Sequence, residues 1–90
     1  MSDVEACRLL HSRHFCIDRL VEVKEELARI QAEDLELKSR LDGAGETEAD
    51  LIRRRRRHLS RRVNELKAER AALTAELQES TDKLRMIHQG

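Results

Sequence analysis

Seven of the ten residues from Arg53 to Arg62 are arginine, the densest concentration of one chemical group in this 90-residue chain. Guanidinium groups neutralise phosphates whatever the base sequence, so a nucleic-acid backbone is one candidate ligand. Arg53, Arg54, Arg57 and Arg61 are the residues placed to reach it. A second reading keeps the charge at home: Glu33, Asp34 and Glu36 lie earlier in the chain as internal partners, and an acidic protein surface is a third. Five consecutive arginines on a helix wrap its whole circumference, so only some can face one groove. Phe15 is the only aromatic, which leaves nothing near the run on which bases could stack.

Arginines followed by Leu59, Leu66 and Leu73 at intervals of seven superficially resemble a basic-region leucine zipper. The chain departs from that pattern. Such regions carry an asparagine upstream of the zipper, whereas Asn64 follows the first zipper leucine, and the arginines here overlap the apolar repeat rather than precede it. Internal pairing or solvation is the preferred reading of the run, with nucleic acid as the alternative.

A second constellation is Cys7, His11 and His14, spaced i, i+4 and i+7 and therefore on one helix face. In an antiparallel hairpin His88 falls near the same end. Thiolate and imidazole are zinc ligands, but no second ligand pair accompanies them and they face away from the apolar repeat. They read as surface residues; neither a metal nor another cofactor is expected. Cys16 lies within the repeat and reads as core. Phosphate-cradling glycine loops, nucleophile elbows and HExxH motifs are absent from the sequence, so an enzyme is not expected.

Two elements must carry these residues. Leu20, Val23, Leu27, Ile30, Leu37 and Leu41 recur in alternating steps of three and four, and Ile52, Leu59, Val63, Leu66, Leu73, Leu77, Leu84 and Ile87 do the same. There is no proline, and Gly43 and Gly45 are the only glycines before Gly90. The pattern predicts an all-α chain of two long helices paired as an antiparallel coiled-coil hairpin. The expected boundaries, within a single domain spanning 1–90, are helix 3–42, loop 43–47 and helix 48–87. Ser2 with Glu5 reads as a capping box, Gly43 as a left-handed helix stop, and Thr47 with Asp50 as a weaker second capping box.

In heptad terms the first helix places Ala6, Arg13, Leu20, Leu27, Asp34 and Leu41 at a, with Leu9, Cys16, Val23, Ile30 and Leu37 at d. The second places Ala49, Arg56, Val63, Arg70, Leu77 and Leu84 at a, with Ile52, Leu59, Leu66, Leu73, Ser80 and Ile87 at d. Two registers fit. One layers Leu41 on Ile52, Ile30 on Val63 and Leu20 on Leu73, and brings Asp34 near Arg56; its cost is Glu26 beside Glu69 and Arg40 beside Arg55. The other pairs Glu33 with Arg55, Glu26 with Arg62 and Arg19 with Glu69. A surface ion pair contributes about 0–1 kcal/mol and a buried leucine about 1.5–3 kcal/mol, so the first register is the expected one. Arg13, Asp34, Arg56, Arg70 and Ser80 interrupt the seam; the arginine stems are expected to lie along it with their heads in water.

Charge gives a consistent picture. Basic and acidic side chains balance at 18 each, with 7 basic against 10 acidic in residues 1–45 and 11 against 8 in residues 46–90. The two helices therefore attract, and no global field recruits nucleic acid or membrane. No membrane-spanning or signal-peptide pattern is expected. Cys7 and Cys16 would lie about 13 Å apart on one helix, beyond bridging distance, which suits a reducing cytoplasmic setting.

The first twenty residues are apolar well beyond a two-helix seam: Leu10, Phe15, Ile17 and Val21 fall outside a and d. One partner helix cannot cover that arc. These four residues are the expected partner-binding site. The expected function is protein–protein interaction, as an adaptor, assembly factor or chaperone-like hairpin. The partner is a second copy, completing a four-helix bundle at the N-terminal end, or a helix of another protein.

Overall fold

The computed structural model describes the backbone of residues 3–89 and the side chains of residues 3–87. It contains two helices, α1 (Asp3–Leu41) and α2 (Glu46–Gln89), and no strand among the described residues. The helical hairpin is as the repeat predicts. Ser2 of the first capping box lies outside the described residues.

The turn differs from expectation. Neither Gly43 nor Gly45 has a positive φ. Instead α1 closes by tightening: Gly43 N–H donates to the Arg40 carbonyl and Ala44 N–H to the Leu41 carbonyl, both at 3.3 Å. These i to i−3 bonds satisfy two of the carbonyls that every helix end leaves open. The Gly45 carbonyl accepts from Ala49 N–H at 2.8 Å, so Gly45 is the residue that caps α2 and Thr47 sits inside its first turn instead of capping it. Lys38 and Arg40 in the last turn of α1, and Glu46 and Glu48 in the first turn of α2, complement the helix dipoles.

The chain divides into two compact units. The loop unit is Lys24–Ala68; the terminal unit joins Met1–Val23 to Glu69–Gly90. Buried side chains of the loop unit are Ile30 and Leu37 of α1, facing a set from α2 made of Ala49, Ile52, Leu59 and Leu66. The terminal unit buries Cys16, Val23, Leu73, Ser80 and Leu84. Nine of these eleven are d residues; the a residues Leu20, Leu27, Val63 and Leu77 are half-buried. The dry centre of the seam is therefore the d stripe of each helix. Positions g and a flank d on opposite sides of a helix, and so become the two margins of the seam.

The g margin decides the register. In the loop unit Arg40 pairs with Glu48, Arg55 with Glu33 and Arg62 with Glu26, each step of seven along α1 matched by seven back along α2. In the terminal unit Arg19 pairs with Glu69. These are the contacts of the second register, and the expectation of the first is overturned. Along d the second register keeps Leu37, Leu59, Leu66 and Leu73 buried with the ion pairs formed, while the a residues Leu20, Leu27, Val63 and Leu77 stay half-buried.

Candidate interaction surfaces

The arginine run separates into paired and unpaired halves. Arg55 clasps Glu33 with both Nε and Nη2, at 2.6 and 3.0 Å, and Arg56 Nε donates to Asp34 Oδ1 at 2.9 Å. Those hydrogen bonds hold both carboxyls below the ordinary range. Arg62 reaches both oxygens of Glu26 and also Glu65. The bidentate fork suits guanidinium and carboxylate geometry. Arg53 only approaches Asp50, at 4.0 Å. Arg54, Arg57 and Arg61 are exposed and make no ion pair among the described residues. Spaced i, i+3 and i+7, they share the outer face of α2. The four arginines expected to be available for phosphate are thus the four without a firm internal partner.

The second surface lies in the terminal unit. Among the described residues the large exposed apolar side chains are Val4, Leu10, Phe15, Ile17, Val21, Leu35, Leu51 and Met86, and all but Leu35 and Leu51 belong to this unit. Leu10, Ile17 and Val21 follow one another at seven and four residues and share a face with half-buried Leu20. Phe15, 67% exposed, is on another side. With Val4, Cys7, Arg8 and His11 it lines an open groove along α1. The expected four-residue contact therefore divides, three residues on one face and Phe15 apart from them.

Polar seam residues behave in three ways. Arg56 finds Asp34, and the buried Ser80 hydroxyl donates to the Glu76 carbonyl at 3.0 Å. Arg70 is exposed, its head in water as anticipated. Arg13 is the exception: its Nε is buried and has no hydrogen-bond partner among the described residues. Sequence reasoning gives Arg13 a snorkelling head and misses this atom. The only signal available is the absence of an acidic a residue for it to meet.

Cys16 is solvent-inaccessible at d, and burial, reinforced by the neighbouring Glu76 carboxylate, pushes its thiol pKa up. Such a thiol is a core atom rather than a nucleophile. Cys7 is exposed and free. The described residues gather no three His, Cys, Asp or Glu side chains around a point that could hold a metal ion, and the His88 side chain lies outside them. Among the described residues no helix is long and apolar enough to cross a membrane. Comparison with protein-family models, curated proteins and solved structures found no match.

Proposed function

We propose that this chain is a non-enzymatic protein-interaction module of the cytoplasm, adaptor-like or chaperone-like, that engages a second copy or a helix of another protein through the terminal unit. One observation carries the reading: the exposed apolar bulk is concentrated in that unit, on a helix whose seam face is already occupied. Contiguous apolar surface that the fold does not cover marks association sites. Leu10, Ile17 and Val21 form the contact, and the loop unit keeps the two helices paired. Ile17→Asp should abolish association while helicity stays high; Phe15→Asp, on the other face, should weaken it less. Sedimentation equilibrium over a range of concentrations, alone and with any co-purifying protein, reads the result. An unchanged assembly mass for Ile17→Asp would overturn the proposal.

A second reading is supported by Arg54, Arg57 and Arg61, which are exposed on α2 and have no ion-pair partner among the described residues. On that reading the outer face of α2 binds a nucleic-acid backbone. Affinity for duplex DNA or RNA should fall steeply with salt. Replacing the three arginines with glutamine should reduce the log–log salt slope by about 2–3, near one unit for each phosphate no longer neutralised. No binding at low salt would dispose of it.

A further inference from the structure

The terminal unit presents a margin that its own charges leave unanswered. On the g side Arg19 is clasped by Glu69, with Nε to Oε1 at 2.6 Å and Nη2 to Oε2 at 2.9 Å. On the opposite, a side, the α1 residues are Arg13 and half-buried Leu20, flanked by exposed Leu10 and Ile17. The α2 residues at a include exposed Arg70 and half-buried Leu77. Arg13 Nε is buried without an acceptor, and Arg70 makes no ion pair among the described residues. A buried donor left unmade costs free energy that an acceptor would recover.

Resting on the reading of this unit as an interaction surface, we infer that the margin binds an amphipathic helix of another protein carrying a carboxylate among its apolar residues. Because Arg13 Nε is closed off from solvent, the carboxylate accepts from the guanidinium once the Arg13 side chain swings outward to meet it. Leu10, Ile17 and Leu20, at steps of seven and three, offer the apolar spacing that helix-in-groove docking uses. The charge identifies the occupant. At the described a and e positions of this unit the only carboxylate is Asp3, in the first turn of α1, where it complements the helix dipole. In an isologous dimer the margin would meet itself and offer Arg13 and Arg70 no carboxylate but Asp3, already engaged by its own helix start. A foreign acidic helix supplies what a second copy lacks.

The test uses the full chain and three synthetic three-heptad helices that share their leucines and carry Glu, Gln or Lys beside them. The Glu helix should bind at least about tenfold more tightly than the Gln helix, as a charge-assisted hydrogen bond in a partly buried site provides. Arg13→Met should remove that preference. In the free chain the same substitution should raise the Tm by about 4 °C, because the unanswered donor is gone. A variant that gains stability while losing discrimination is not what a purely structural arginine would give. Equal binding of the Glu and Gln helices, both lost in Ile17→Asp, would overturn the acidic partner and leave the interaction reading standing. So would Arg13→Met retaining the preference. Self-association of the chain that Ile17→Asp abolishes, with no peptide bound, assigns the margin to a second copy and overturns the inference. A monomeric chain that binds no peptide at about 100 µM, a millimolar-class affinity at best, overturns both readings.

Discussion

The loop unit and the terminal unit use the same heptad repeat to different ends. In the loop unit three interhelical ion pairs fill the g margin, Arg56 answers Asp34 inside the seam, and only Leu35 and Leu51 are large apolar residues left exposed. The terminal unit has the Arg19–Glu69 clasp on its g margin and, among its described residues, a buried guanidinium nitrogen without an acceptor and six exposed large apolar side chains. Where a helical hairpin has satisfied itself it is a scaffold; where it has not, it has surface left to offer. The contrast places the proposed interaction surface where groups remain unpaired, without reference to any motif.

Core substitution should break this contrast most forcefully. Leu66 of the loop unit is fully buried, whereas Leu10 of the terminal unit is 46% exposed. Leu66→Ala should cost about 2–5 kcal/mol, enough to unfold a small hairpin in a circular-dichroism melt. Leu10→Ala should leave the melt of the isolated chain nearly unchanged. Equal losses from the two would mean that the terminal face is packed as a core.

Acid should separate the units next. Glu33 and Asp34 have folded-state pKa values below their unfolded ones, chiefly through hydrogen bonds from Arg55 and Arg56. The stability they contribute is present above the unfolded carboxylate range, near pH 4, and is lost as the pH falls through the lower folded values. The melting temperature should therefore drop between about pH 5 and pH 2, roughly the unfolded-to-folded span of carboxylate titration. Glu33→Gln with Asp34→Asn should flatten that drop. An unaltered acid profile in the double variant would show that the loop unit does not depend on its ion pairs.

The smallest effect belongs to the turn. A Cβ built on Gly43 meets nothing within 4 Å, and the residue has no positive φ. Gly43→Ala should then stabilise the chain by about 0.4–1 kcal/mol, through a less flexible unfolded state. A glycine required for a left-handed stop would give the opposite sign.

Much of this is legible in the residues. The steps of three and four locate both helices and the d stripe, and they bring Asp34 to Arg56. The helix ends are less legible, because a Gly-Ala-Gly connection can close by left-handed or tightened bonding, and local sequence does not choose between them. The register is written in the charges: four g-position pairs form together while the a residues stay half-buried, and weighing one surface pair against one buried leucine misses that sum. The four outlying apolar residues named as one contact divide between two faces, because two residues from Ile17 puts Phe15 on another side of the helix. The orphan Nε of Arg13 is only hinted at by the lack of an acidic a residue to meet it, since its burial depends on how far neighbouring side chains close over one guanidinium.

The turn has a kinetic corollary. Arg40 and Glu48 are eight residues apart in sequence, Arg19 and Glu69 fifty. Loop closure grows costlier with separation, so pairing begins beside residues 42–45 and advances outward as a zipper. The terminal unit is then the last segment to close and the first to fray. Cys16, sealed within it, is a natural reporter of that fraying, since its thiol meets solvent before the loop-side pairs are broken. A helix that docks there would act as the clasp at the open end of the zipper.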